Sequence, residues 1–205
     1  MGLSLKSTSG KLLASAALIG AAASVAGLGT YGAFTSTTSA SESVSSGTVV
    51  IGLGASGANN RLSVAATGIV PGDTIQRAVT LSNSGTQNLA SATLTTTATT
   101  TSKLDTDAVN GLQVAIDDCS VAWTEAGAAP AYTYTCSGTT TSVLASRAVI
   151  GSNVSLANLA SVTASGTDHL RVTVSLPSGA DNSFQGLSST VNFSFTGTQR
   201  SGTNQ

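Results

Sequence analysis

Charged residues are scarce in this chain, and histidine is almost absent. Only 8% of the 205 residues are Asp, Glu, Lys or Arg, and there is a single histidine. Such a chain has little material for a metal centre or for acid–base catalysis. Its surface must be formed mainly by Ser, Thr, Asn and Gly, and surfaces of this kind repel copies of themselves only weakly. The composition therefore favours self-association over catalysis.

Cysteine is nearly as rare. The chain has two, Cys119 and Cys136, at the ends of two segments that read as strands around a loop with Gly127 and Pro130. An even count in an exported chain predicts a disulfide, and closing this loop would stabilise the fold by about 3 kcal/mol. Two unpaired thiols are the alternative. A zinc site is less well supported, because one histidine and two cysteines do not supply four ligands.

The first part of the chain is long and uncharged apart from two lysines. Lys6 and Lys11 precede an apolar run that begins at Leu12 and continues in small residues to Leu28. A basic start, an apolar middle and small residues at the exit are typical of an export signal. The run is long enough to span a bilayer, so a retained anchor is the alternative. Its poverty in Leu, Ile and Val favours cleavage, and a conventional small-x-small site would be Thr38-Ser39-Ala40.

Short alternating segments separated by Gly, Asn and Pro turns dominate the rest. The pattern predicts strands at Thr48–Ile51, Leu62–Val64, Thr74–Leu81, Gln113–Cys119, Tyr132–Cys136, His169–Leu176 and Val191–Thr196. Strict alternation predicts sheets with one wet and one packed face, and hence an all-β antiparallel sandwich, specifically a jelly roll.

Three segments are harder to assign. The threonine-rich Ser91–Ser102 favours a strand, but a glycosylated or loosely ordered stretch is the alternative. Lys103–Gly111 reads as a loop with room for one helical turn. Val143–Leu159 fits neither the helical nor the strand period.

Several short motifs resemble those of the TasA/camelysin family of secreted bacterial proteins. In chain order they are Gly29-Thr30-Tyr31-Gly32-Ala33-Phe34-Thr35, Pro71-Gly72-Asp73, Asn83-Ser84-Gly85, Phe184-Gln185-Gly186, Val191-Asn192-Phe193-Ser194-Phe195 and Gln199. The resemblance implies that a dedicated signal peptidase, the expected partner during export, cuts between Ala33 and Phe34. It also implies an extracellular or cell-surface location. Nothing between residues 88 and 168 carries the resemblance.

The predicted organisation follows from this cut. Residues 1–33 form a cleaved signal helix, 34–46 a flexible arm, 47–200 the β-sandwich and 201–205 a tail. The mature part has six basic and nine acidic residues, a net charge of −3, which argues against nucleic-acid binding. The arm would take part in assembly through its apolar residues Phe34, Val44, Val49, Val50 and Ile51.

Catalytic and cofactor sites find little support. Camelysin is described as a metallopeptidase, but the chain has no His-Glu-x-x-His, and His169 opens a strand in which Leu170 points inward. No catalytic residue, metal ligand, cofactor or small-molecule substrate is predicted. The acids Asp105, Asp107, Asp117 and Asp118 could bind calcium, although solvated loop acids are the simpler interpretation.

Three functions remain open at this point. The first is a structural subunit that forms extracellular fibres, a biofilm matrix or a surface layer with copies of itself. In this case the arm would be donated as a strand to a neighbour. The second is a monomeric surface-binding module, for which Trp123, Tyr132 and Tyr134 form the only aromatic cluster. The third is a camelysin-like peptidase.

Overall fold

The computed structural model describes residues 51–53 and 64–202, which belong to a compact unit that begins at Ser46. The described residues are almost entirely β-structure. The strands are β1 (Ile51–Leu53), β2 (Val64–Thr67), β3 (Thr74–Asn83), β4 (Leu89–Thr100), β5 (Gln113–Cys119), β6 (Thr124–Ala126), β7 (Thr133–Thr135), β8 (Thr140–Ala148), β9 (Gly151–Ser155), β10 (Thr167–Ser175) and β11 (Ser188–Gln199). One short helix, α1 (Lys103–Thr106), and two 3₁₀ turns, Ala160–Val162 and Asn182–Phe184, interrupt them. Within these ranges no helix is long and apolar enough to cross a bilayer.

The strand pairing is nested. β2 pairs with β11, β3 with β10, β4 with β9 and β5 with β8, all antiparallel. The chain thus forms one long antiparallel ribbon, which wraps into two sheets of order β1-β3-β10-β5-β8 and β2-β11-β4-β9. This is the strand order of a jelly roll. The prediction of an all-β, jelly-roll-like sandwich is confirmed, whereas the predicted signal helix lies outside the described residues.

The core forms where the inner faces of the two sheets meet. β10 contributes Leu170, Val172 and Val174, while alternate residues of β4 contribute Ala92 and Leu94 from the other sheet. All five are essentially inaccessible to water. Burying a Leu or Val side chain stabilises a fold by about 1.5–3 kcal/mol. The sequence of β10 therefore alternates because every second side chain faces the core, as predicted.

The segments that were hard to assign have physical explanations. Most of Ser91–Ser102 belongs to strand β4, in which Ala92, Leu94 and Thr96 face inward while the threonines between them face outward. Val143–Leu159 fits no single period because it contains two strands, β8 and β9, joined by a tight turn. β8 is also an edge strand with register shifts opposite β5, so most of its side chains face water.

The predicted loop after β4 begins with a capped helix. The Asp105 carboxylate of α1 accepts hydrogen bonds from the Ser102 amide, the Thr101 hydroxyl and the Ser189 hydroxyl, each at 2.6 Å. The Ser102 hydroxyl accepts in turn from the Leu104 amide, completing a capping box. Asp105 is buried, so the interpretation of this residue as a solvated loop acid is wrong. Through Ser189 it ties α1 to β11.

The network also sets the protonation of Asp105. Burial alone would raise the pKa of this carboxyl, but the hydrogen bonds from Ser189, Thr101 and Ser102 outweigh it and lower the pKa below its usual 3.8. The ionised form is therefore the one that stabilises the fold. Its contribution is complete above the unfolded-state pKa and is lost as the pH falls through the lower folded-state value.

The connections between strands fall at two opposite ends of the sandwich. One end, here called the α1 end, carries the connections β2–β3, β4–β5, β8–β9 and β10–β11. The opposite end carries the connections β3–β4, β5–β8 and β9–β10. The backbone of Ile51 pairs with that of Asn83, the last residue of β3. The described domain therefore begins at the opposite end.

We expect Asp105→Ala to lower the free energy of unfolding by about 2 kcal/mol at pH 7, because it removes a helix cap and leaves buried donors without partners. Urea unfolding measures this. Asp73→Ala is the matched control, since the Asp73 carboxylate accepts one exposed hydrogen bond, from the Val70 amide, and its loss should cost much less. The difference between Asp105→Ala and wild type should shrink as the pH drops below 3.8. A difference that stays constant to pH 2 would contradict the assignment.

Candidate functional site

The structure contains the predicted disulfide. Cys119 ends β5 and Cys136 directly follows β7, with 5.8 Å between their Cα atoms and a sequence separation of 17. Between the cysteines, β6 and β7 pair as a short hairpin. The bond therefore fastens this hairpin, named here the β6–β7 hairpin, to the end of a central strand.

The β6–β7 hairpin covers the outer face of the five-stranded sheet. Its Trp123 and Tyr134 pack with Ala78 of β3 and with Cys119 in a cluster separate from the main core. Ala78 and Cys119 lie on the outward side of their strands, where residues normally face water, but here they are only 1% exposed. The domain thus has a second, smaller hydrophobic centre outside the sandwich.

Polar contacts hold Trp123 in place. Its indole Nε1 donates a 2.7 Å hydrogen bond to the His169 carbonyl, and the Arg171 guanidinium lies 4.4 Å from the ring centroid. Arg171 is fixed from its other side by a 2.8 Å ion pair with Asp117. Asp117, a calcium candidate in the sequence, is thus an ion-pair partner on the outer face.

Tyr134 anchors the second strand of the hairpin. Its hydroxyl donates a 2.7 Å hydrogen bond to Glu125 on β6, and its amide donates to the Gln76 side chain on β3. Burial, followed by the hydrogen bond and the charge of Glu125, raises the pKa of Tyr134 to about 12. The phenol therefore stays protonated and donates to Glu125 across the physiological pH range.

Arg77, the exception to the apolar face of β3, also belongs to this arrangement. Its guanidinium lies 5.3 Å from the Tyr132 ring centroid and donates to the Pro130 carbonyl at 3.4 Å. Since Trp123 and Tyr134 are each only 4% exposed, the aromatic residues do not form the open platform that a sugar-binding module would need.

The residues considered for metal binding do not converge. Within residues 51–53 and 64–202, no three His, Cys, Asp or Glu side chains are close enough to hold an ion. The neighbours of His169 on the adjacent strands are Thr80 and Cys119, and Cys119 is oxidised. Asp118 accepts the His169 amide, and burial raises the pKa of its carboxyl. Glu42 lies outside the described residues. These side chains do not match the ligand set of a catalytic zinc.

Another grouping superficially resembles a nucleophile with its base. The Ser183 hydroxyl contacts both the Lys103 ammonium and the Asp181 carboxylate. Lys103 also lies 3.9 Å from Asp181 and over the Phe184 ring. These contacts are those of a surface ion pair, in which the Lys103 side chain is 42% and the Asp181 side chain 72% exposed. Hydrogen bonds from Ser183 lower the pKa of Asp181, which makes it a poor base.

On the side of the sandwich where β1 and β2 lie, the edges of the two sheets are covered differently. β1 pairs with Leu81–Asn83 of β3, and the Pro130–Ala131 loop of the β6–β7 hairpin lies beside Thr74, Ile75 and Arg77 further along that strand. β2 pairs only with 188–191 of β11, and no described strand flanks 192–199 on that side. Strand edges with free backbone groups can take up a further strand.

The far edge of the five-stranded sheet is different. On β8 the Val143 carbonyl accepts from the Ala157 amide, and the Ser142 carbonyl accepts from the Asn158 side chain. These contacts occupy the middle of the edge and hinder the addition of another strand. The two sides of the sandwich are therefore not equivalent as acceptors.

The predicted processing and arm residues fall mostly outside the described residues: Ala33, Phe34, Val44, Val49 and Val50. Ile51 is described, and its backbone pairs with Asn83 of the same chain. The cleavage site and the role of the arm stay predictions.

We expect Cys119→Ala/Cys136→Ala to lower the free energy of unfolding by about 3 kcal/mol, because the bond no longer restricts the unfolded chain. The variant should also loosen the hairpin. Trp123 is the chain's single tryptophan, so its fluorescence reports on this site alone, and its emission should move to longer wavelength.

Reductant provides the control for this experiment. It should shift the wild-type emission in the same direction and leave the double variant unchanged. Equal stability and equal emission in all samples would show that the disulfide does not hold the hairpin.

Comparison with known proteins identifies a family that the chain matches. A family model described as camelysin metallo-endopeptidase matches residues 4–204. No curated protein matches the chain significantly. The family match includes the β5–β8 segment with the disulfide, where no family motif was visible in the sequence. Because the match extends over almost the whole length, the chain belongs to the camelysin family.

Proposed function

We propose that the protein is a secreted structural subunit that joins copies of itself into extracellular fibres or a surface layer, with residues 34–50 donated as a strand to a neighbour. The observation that carries the proposal is the edge of β11, where no described strand lies beside residues 192–199 on the β2 side. An added strand there gains main-chain hydrogen bonds and buries alternate side chains.

The geometry of this edge suits such an exchange. Beyond the residues that pair with β2, 192–199 of β11 form eight residues of edge, about 26 Å. The 17 residues from Phe34 to Val50 are more than enough to cover it. Because Ile51 pairs within its own sheet, it forms the fixed end of the donated segment.

The charge of the mature chain supports the same function. A net charge of −3 over residues 34–205 gives little repulsion between copies. Removal of the signal after Ala33 would free Phe34 as an apolar N-terminus, so that export and assembly would be coupled. The location outside the cell is part of this proposal.

The direct test is deletion of residues 34–46 from the secreted protein. We expect filaments seen by negative-stain electron microscopy to disappear, while the thermal unfolding of the domain stays unchanged. Replacement of the same residues by a Gly/Ser segment of equal length controls for chain length and should also abolish filaments. Unchanged filaments in either variant would refute strand donation by the arm.

A second candidate is the peptidase that the family description names. The residues described here do not fit a zinc site, since the one imidazole has no second and third ligand beside it. The test is the zinc content of purified protein together with casein cleavage by wild type and His169→Ala. We expect no stoichiometric zinc and no difference between the two proteins. One zinc per chain, with activity lost in the variant, would establish the peptidase instead.

A further inference from the structure

The edge of β3 that faces away from β10 is covered by side chains along its first part. In an antiparallel sheet, alternate residues of a strand direct their backbone groups to one neighbour, and the residues between them direct theirs to the other. The Asn83 amide donates to the Gly166 carbonyl, and the Asp73 carbonyl accepts from the Leu176 amide. Both partners adjoin β10, so the odd-numbered residues along β3 face β10. The backbone groups of the even-numbered residues therefore point to the other side.

Two of these even-numbered positions are already hydrogen-bonded. The Gln76 carbonyl accepts a 2.7 Å hydrogen bond from the Arg77 guanidinium, and the Ala78 amide donates to the Tyr134 hydroxyl. The Tyr134 amide in turn donates to the Gln76 side chain at 3.2 Å. Backbone groups that a further strand would need are thus occupied by Arg77 and by Tyr134 of the β6–β7 hairpin.

Arg77 closes this edge from the inside. It lies between Ile75 and Val79, which pack in the core, so its side chain starts on the inner face of β3. Its guanidinium nevertheless reaches the Pro130 carbonyl and the Tyr132 ring, which belong to the hairpin on the outer face. The side chain therefore passes round the edge. An inward-pointing charge and a covering loop are two means by which β-proteins keep further strands from an edge.

The two legs of the hairpin are held differently. The β6 leg is held near its start by Trp123, whose indole donates to the His169 carbonyl. The β7 leg, which covers the edge of β3, is fastened to the sheet by Tyr134 and, covalently, by the disulfide at Cys136. Cys119 is only 1% exposed whereas Cys136 is half-buried, so Cys136 carries the sulfur that a reductant can reach.

We propose that the β6–β7 hairpin is a guard that closes the edge of β3, and that reduction of the Cys119–Cys136 disulfide opens it. The reductant is a dithiol. One of its thiolates attacks the Cys136 sulfur, the bond between the two cysteines breaks, and the Cys119 sulfur leaves with the electron pair and takes up a proton. The second thiol of the reductant then displaces Cys136 as a thiol. The protein gains two thiols, and the reductant becomes a disulfide.

The opened edge differs from the closed one in its backbone groups. Once the β7 leg is released, the carbonyl of Gln76 and the amide of Ala78 are available to water or to a further strand. Reduction therefore adds a free edge in the five-stranded sheet to the one at β11. This inference goes beyond the proposed function, and its test does not require that copies assemble.

The test is amide hydrogen exchange, followed residue by residue by NMR. It compares oxidised protein, protein reduced with dithiothreitol, and Cys119→Ala/Cys136→Ala. We expect the Ala78 amide to exchange about tenfold faster or more in both open forms, because it loses its partner on the hairpin. The amides of Arg77 and Val79 face β10, so they should change only as much as the amides of β4 in the other sheet.

The alternation along β3 distinguishes an opened edge from a weakened domain. A loss of stability of the whole domain would speed exchange at odd-numbered and even-numbered positions alike. Equal changes at Ala78 and at its two neighbours, or no change at Ala78, would overturn the proposal.

A second variant loosens the guard while the disulfide stays closed. Arg77→Gln removes the guanidinium from the Gln76 carbonyl and from the hairpin, and Arg147→Gln makes the same change on the exposed edge strand β8. We expect Arg77→Gln to speed exchange at Ala78 about threefold or more, and Arg147→Gln to leave it as in wild type. The same exchange rate at Ala78 in both variants would overturn the assignment of Arg77 to the guard.

Discussion

Alternating aliphatic side chains between two wrapped sheets hold this domain together. A chain with 4% aromatic residues must build its core from Leu, Ile, Val and Ala, and these fill the interior only if every strand keeps its register. The nested pairing enforces that register, because each strand of the first half is matched by one of the second half. The β6–β7 hairpin and α1 are additions to this ribbon, inserted between β5 and β8 and between β4 and β5, and each is held in place by polar contacts.

The fold was predictable from the sequence where alternation is strict. His169–Leu176 and Gln113–Cys119 read as strands because leucines, valines and isoleucines occupy every second position and face the core. The capped helix was not predictable as a buried element. Asp105 looks like a loop acid until Ser189, 84 positions away, is placed beside it. The same holds for Arg77, whose partners Pro130 and Tyr132 lie in the loop between β6 and β7. Contacts of this range depend on topology, which no local pattern contains.

For the candidate site, prediction from the sequence was limited in a different way. The cysteine pair was predicted from number and spacing, and it lies where strand ends suggested. The packing of Trp123 and Tyr134 against the sheet was missed, since nothing in the sequence shows that the outer face of β3 and β5 is covered. A signal was nevertheless present: Ala78 is a small, uncharged residue on the face that should meet water. The family match names a peptidase, whereas the described side chains offer a disulfide, ion pairs and caps, which are structural devices.

The hairpin makes the two broad faces of the sandwich unlike. One is overlaid by an aromatic and guanidinium layer, while on the other β4 and β11 present a bare plane of hydroxyls and amides, such as Thr95, Thr97 and Asn192. The plane has small side chains and no charge, so its solvation is uniform, whereas the overlaid face is bulky and chemically uneven. The molecule therefore has a front and a back as well as two ends. If such subunits were joined in a row, the two faces along the row would differ in the same way. Two rows packed side by side would then contact each other through unlike surfaces.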